Sequence, residues 1–280
     1  MIEFPTERDW YRGWQSSLAG LPRALDAGRE VELAIRAGSA ADRLAWVFMS
    51  GYQAALRYCF PEFAGSGWSC FAAAEPKGGP HCALESTARG YRLSGEKSWI
   101  AGAESVDRLV VLVGEAEDRR FVCVERDSPG VTITLPRSPS FLAELSQGAA
   151  VFDGVAVTGS QLLSQPERAY WFRAAEPLFV LIALNACLGA QAAQATADGL
   201  VEETATKLRM ASASAIDCGT ALAEVIPDRQ KIKAGLTELR GMTAVAMEHF
   251  VPDALPHAAP ALQRSWQVDA RFLEMFGVTL

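Results

Sequence analysis

The chain has only three histidines, and none of its six cysteines (Cys59, Cys70, Cys82, Cys123, Cys187, Cys218) forms a C-x-x-C pair. A zinc module, a dithiol redox centre and a disulfide scaffold are therefore not expected, and a reducing cytoplasm is the simpler setting. His249 and His257 stand apart with no evident carboxylate partner, so no metal site is expected. Basic residues are also scarce, 26 against 33 acidic ones, for a formal net charge of -7. That balance argues against a nucleic-acid surface and leaves room only for a local basic pocket. Neither a Gly-x-Ser-x-Gly elbow nor a Gly-x-Gly-x-x-Gly loop is present, which removes the usual signatures of hydrolase and dinucleotide chemistry. The opening residues, Met1 to Trp10, are too acidic and interrupted for a secretory signal. The longest apolar stretch, Leu178 to Ala197, is broken by Asn185, Gln191 and Gln194 and reads as the core helix of a bundle rather than a membrane span.

What the sequence does have is an ordinary globular composition, half apolar and 21% charged over 280 residues, arranged in three textures. Residues 1–64 carry helical spacing. Candidates are Thr6 to Leu18, Gly28 to Ala37 and a long amphipathic helix with Leu44, Val47, Phe48, Gly51, Ala55, Tyr58 and Cys59 on one face, ending at Pro61, with Ser39 and Asp42 spaced as a capping box before it. Residues 65–164 turn to short alternating or apolar runs divided by Gly, Pro, Asp and Ser: Trp68–Ala74, Ala83–Thr87, Lys97–Ala101, Leu109–Val113, Phe121–Glu125, Val131–Leu135 and Val155–Val157. With no helices between them, a barrel or sandwich of antiparallel strands is expected. Residues 165–280 are rich in Ala, Leu and Gln and predict four helices, about 167–200, 202–224, 228–250 and 258–276. The expected fold class is α+β: N-terminal helices, a central antiparallel β-barrel and a C-terminal helical bundle.

Three ordered segments carry a resemblance. The first is Cys70-Phe71-Ala72-Ala73-Ala74-Glu75-Pro76-Lys77-Gly78-Gly79. The second is Gly95-Glu96-Lys97-Ser98-Trp99-Ile100-Ala101-Gly102, followed by the apolar run Leu109 to Val113. The third is Val151-Phe152-Asp153-Gly154-Val155-Ala156-Val157. In this order the chain resembles the acyl-CoA dehydrogenases, whose middle domain shows T-E-P-x-x-G-S, then G-x-K-x-W-I-T, then F-x-x-V-x-V-P. The match covers about residues 50–165, and the order of helices, strands and helices fits the remainder. An unrelated β-barrel with Trp99 as a core residue is the competing reading.

The resemblance implies FAD at the edge of the strands, an acyl thioester carried on CoA or a carrier protein, a glutamate that removes the α proton, and hydride transfer from the β carbon. It assigns cofactor contacts to Ala73, Ala74, Glu75, Trp99, Ile100 and Ala101, and substrate contacts to Gly78, Gly79 and His81. It also implies a homodimer or higher homo-oligomer built through the helices. The chain departs from the pattern at Ala74 and Ala101, where the family has threonine, and at Pro80, where it has serine. It lacks the Gln-x-x-Gly-Gly and Tyr-Glu-Gly-Thr signatures, the latter carrying the usual catalytic glutamate. Some relatives place that base on the first helix of the bundle, at a position equivalent to Phe179. Glu176, one turn earlier, is the nearest acid and reads either as a displaced base or as an acid favoured by the helix N-terminus. Lys97 reads either as a thioester or phosphate contact or, favoured by its alternating strand, as a solvated partner of Glu96 or Asp107. A non-catalytic relative that kept the fold as a binding or assembly subunit is the alternative to the enzyme.

Overall fold

The computed structural model describes residues 6–18, 21, 27–79, 81–135, 141–197, 202–250, 269 and 273–278. Most of the helix expected over 258–276 lies outside them. The chain divides into two compact units, residues 1–59 with 171–280, and residues 60–170.

The first unit is helical: α1 (Glu7–Leu18), α2 (Ala27–Ala40), α3 (Leu44–Cys59), α4 (Glu167–Ala197, from Trp171 onward), α5 (Glu202–Ala223) and α6 (Arg229–His249). The sequence places these helices to within a few residues. Nearly every residue of α3 is buried, and Trp10 of α1 stacks on its Trp46 at 5.9 Å. Helix α4 is apolar and long enough to cross a membrane by composition, yet its run from Leu178 to Leu188 is buried within the protein. Two glycines allow that burial. A Cβ on Gly51 would lie 2.4 Å from the Val180 backbone, and one on Gly38 would lie 2.4 Å from the Ala183 carbonyl oxygen, so α3 and α2 meet α4 backbone to backbone. Fully burying a large apolar side chain contributes about 1.5 to 3 kcal/mol, and Phe179, Leu181 and Leu184 all qualify. Asp228 caps α6, its Oδ1 accepting from the Gln230 and Lys231 amides at 3.1 Å. The expected capping box at Ser39 and Asp42 does not form. Helix α2 runs through Ser39, whose hydroxyl bonds the Ala186 carbonyl, and Asp42 pairs with Arg43.

The second unit holds two four-stranded sheets rather than the closed antiparallel barrel the sequence suggested. One runs β1 (Ser69–Ala72), β4 (Arg108–Val113), β5 (Arg120–Glu125), β8 (Leu162–Leu163). The other runs β2 (Ala83–Thr87), β3 (Gly90–Ala101), β7 (Gln147–Val157), β6 (Val131–Thr134). Among the described residues the edge strands of one sheet do not pair with those of the other, so no closed barrel forms. Strand β1 also pairs parallel to β4, Cys70 opposite Leu109, because the whole β2–β3 hairpin intervenes between them. Phe60, Phe121 and Phe152 fill the core of this unit, with the Phe60 and Phe121 rings 5.0 Å apart.

Candidate functional site

Strand β3 and its partner β7 are each interrupted once, and the interruptions build the site. Between Leu93–Val155 and Gly95–Phe152 the extra residue is on β7. Between Lys97–Ala150 and Ile100–Gly148 it is on β3, at Ser98 and Trp99. A bulge of this kind releases a backbone group from the ladder and re-aims side chains. Here the Ser98 amide bonds the Ala74 carbonyl at 2.8 Å, tying the loop after β1 to β3. Trp99 is half-buried, and its indole Nε1 donates to Gln147 Oε1 at 3.2 Å, while Gln147 Nε2 donates to the Phe141 carbonyl at 2.6 Å.

The same loop is gripped by Lys97. Counting by twos from buried Leu93 puts Gly95 and Lys97 on the inner face. Lys97 is 1% exposed, and its Nζ donates to the Ala73 carbonyl at 3.2 Å and to Glu75 Oε1 at 2.9 Å. The expectation of a solvated lysine paired with Glu96 or Asp107 is therefore corrected. Asp107 instead accepts the Trp68 amide at 2.8 Å. Glu75 also accepts from the Cys82 amide at 3.3 Å and is bonded by His81 Nδ1. Burial alone raises the Glu75 carboxyl; the hydrogen bonds from Lys97 and His81 and the Lys97 charge outweigh that and hold it below the ordinary carboxylate range. A cavity of about 260 Å³ opens beside this cluster, with Glu75, His81, Cys82, Lys97, Glu115 and Arg119 in its walls. Burial pushes the Cys82 thiol up to about 11, which disfavours its thiolate.

The structure brings Ala73, Ala74, Glu75, Ser98 and Trp99 to one place in the second unit, but the six residues assigned to the cofactor are not equivalent. Ile100 and Ala101 are buried, and the Ala101 amide is held by Cys70 Sγ at 3.3 Å. The Ala73 amide bonds the Phe71 carbonyl. The amides of Ala74 and Glu75 have no partner among the described residues, and Ala74 is exposed. Gly78 and Gly79 form a turn, the Gly79 amide bonding the Pro76 carbonyl at 3.2 Å and Gly78 adopting a positive φ of 71°. His81, 73% exposed in its side chain, is engaged with Glu75. Pro80 lies outside the described residues. Sequence reasoning missed Gln147 and the role of Cys70; the inner-face parity of Leu93, Gly95 and Lys97 was the available signal for the buried lysine.

Glu176 belongs to the first unit. It is half-buried on α4, with no hydrogen bond or ion pair among the described residues, and burial pushes its carboxyl up to about 7. Phe179, the position equivalent to the base of some relatives, is a core residue with its ring 5.7 Å from that of Tyr58. Among the described residues no group of three His, Cys, Asp or Glu side chains is arranged to hold a metal ion.

A flavin suits the chemistry of the donors at the bulge. Its ring is a flat apolar surface with a polar edge of acceptors, and the second unit offers a half-buried indole next to two unpaired backbone donors. Ala74 adds no hydroxyl to that set.

No family model and no curated protein matches the sequence. Solved structures do match in fold. A FAD-dependent dehydrogenase aligns at 14% identity over 98% of this chain and 88% of that one, with a TM-score of 0.66. A dibenzothiophene monooxygenase, TdsC, from a Paenibacillus species aligns at 14% identity over 96% and 86%, TM-score 0.65. Glutaryl-coenzyme A dehydrogenase in its glutaryl-CoA complex aligns at 12% identity over 98% and 87%, TM-score 0.63.

Proposed function

We propose, for a chain that carries the acyl-CoA dehydrogenase-like fold, that it is a flavin-dependent oxidoreductase acting on an acyl thioester borne by CoA or a carrier protein. FAD is the expected flavin. The observation that carries this reading is the pair of unpaired amides at Ala74 and Glu75 next to the Trp99 bulge. Trp99 would give the isoalloxazine its apolar contact, and the two amides would take its polar edge. When bound, the flavin supplies the hydride acceptor. Glu176 would remove the α proton of the thioester. A carboxyl lifted by burial to about 7 is matched to proton transfer near neutral pH, where a solvated glutamate is too weak a base. A homodimer and a cytoplasmic setting belong to the same proposal, the first tested by light scattering at micromolar concentration.

The test is direct. Purified protein should be yellow, or should take up added FAD with quenching of its fluorescence, and the flavin band should bleach without oxygen when the right acyl thioester is added. A preparation that is colourless and takes up neither FAD nor FMN overturns the proposal. The non-catalytic alternative draws on one specific observation, the methyl groups of Ala74 and Ala101 where the family carries hydroxyls. A colourless preparation that fails to take up added FAD would favour it.

A further inference from the structure

We infer that Lys97 is a positioning residue: from beneath the Ala73–Gly79 loop its ammonium holds the Ala73 carbonyl and the Glu75 carboxylate, and so fixes the Ala74 and Glu75 amides where a flavin edge is received. This rests on the flavin reading above and adds to it a residue that touches neither cofactor nor substrate.

The geometry carries the inference. The Ala74 and Glu75 amides lie in a loop with no ladder of its own, and two unpaired donors there are free to turn unless the flanking carbonyls are fixed. They are fixed on both sides. The Ala74 carbonyl accepts from the Ser98 amide at 2.8 Å, while the Ala73 carbonyl and Glu75 Oε1 both accept from Lys97 Nζ, at 3.2 and 2.9 Å. All three anchors come from two consecutive residues of β3, immediately before Trp99. The surface that would carry the ring and the donors that would take its edge are thus set by one strand.

A structural ion pair at a surface would contribute little and would tolerate loss of either partner. This one is different because the lysine is 1% exposed while its carboxylate partner is reachable from solvent. The charge is buried, and one ammonium bonds a backbone carbonyl and a side-chain carboxylate of the same loop. His81, on the solvent side, bonds the other oxygen of Glu75, so the carboxylate is held from both faces and cannot swing away with the loop.

Three variants test this, Lys97→Met, Lys97→Arg and Glu75→Gln, each read in two ways. In flavin-free protein, exchange of the Ser98 and Cys82 amides, which bond the Ala74 carbonyl and Glu75 Oε1 of the loop, should quicken at least about tenfold in Lys97→Met, with β4 and β5 unchanged, since lost anchors open the loop locally. In the flavin titration, Lys97→Met should weaken binding by about tenfold or more and blur the vibrational structure of the bound flavin's absorption band, and Lys97→Arg should restore part of both. Glu75→Gln, a change at a solvent-reachable group, should move both readouts the same way by less, and it decides the matter if Lys97→Met does not fold. Unchanged loop exchange overturns the inference. So does faster exchange with parental flavin affinity and spectrum. If the parent itself takes up no flavin, the proposed function falls, and the loop's dependence on Lys97 is still settled by exchange alone.

Discussion

Replacing Glu176 by glutamine separates a half-buried, tuned carboxyl from a solvated one. Burial moves the group from 4.5 to about 7 in the folded chain. At about 1.4 kcal/mol per unit, that difference is worth about 3 kcal/mol. The sign follows from proton counting. Between these two values the unfolded chain has released the proton and the folded chain still holds it, so folding stability is whole below the ordinary carboxylate value and falls as pH rises toward 7. Above that the loss is constant. Glutamine keeps the shape and has no proton to lose. Urea midpoints measured from pH 4 to pH 8.5 should therefore coincide for parent and Glu176→Gln in acid, diverge as pH rises toward 7 and stay apart above it, the variant being the more stable by about 2 to 3 kcal/mol. In the same variant, thioester-driven bleaching of flavin should be lost while flavin uptake persists. Parallel stability curves across that range would refute the reasoning, because they would mean that Glu176 is hydrated and no better a base than any surface glutamate.

Two glycine-to-alanine changes should have opposite signs. Gly241→Ala, in α6 with nothing near the added methyl, should stabilise by about 0.5 to 1 kcal/mol through helix propensity, whereas Gly51→Ala, whose methyl meets the Val180 backbone at 2.4 Å, should destabilise by about 2 kcal/mol and lower the melting temperature by several degrees. Acidification acts on the loop in the opposite sense to its action on Glu176. Because the Glu75 carboxyl is held low, its contribution is complete above the ordinary carboxylate value and is lost as pH falls through the lowered one, so proteolysis or exchange at Ala73–Gly79 should accelerate only in strong acid. Ala74→Thr, at an exposed position, should restore one hydroxyl contact and tighten flavin binding about two- to tenfold, read by fluorescence titration.

Helices were legible in the sequence because α3 and α4 carry their burial in apolar spacing and α6 has an aspartate at its start. The strands were legible only in part. Gly95 and Gly154 read as punctuation, and so β3 was begun at Lys97 and β7 at Val155. In the structure Gly95 lies within the strand at φ 127°, where a Cβ would meet the His81 carbonyl oxygen at 2.5 Å. Gly154, at φ 63°, sits at the interruption in β7. Barrel closure could not be read from local pattern, since alternation specifies which face of a strand is buried and not which edges pair. The loop motif and Trp99 were visible as letters. The pairing that makes them a site was not, because Glu75 and Lys97 are 22 residues apart and meet only after β2 and β3 have formed.

Pro177 stands inside α4 immediately after Glu176. A proline ring has no amide hydrogen, so the Arg173 carbonyl loses its helical donor. Arg173 is exposed. The turn bearing Glu176 is thus stitched more loosely than the rest of an otherwise stiff rod, and a small rotation there can re-aim the carboxyl while the Leu178–Leu188 segment keeps its packing. In the role proposed for Glu176, such a joint would let the carboxyl follow its substrate at little cost to the framework that holds it.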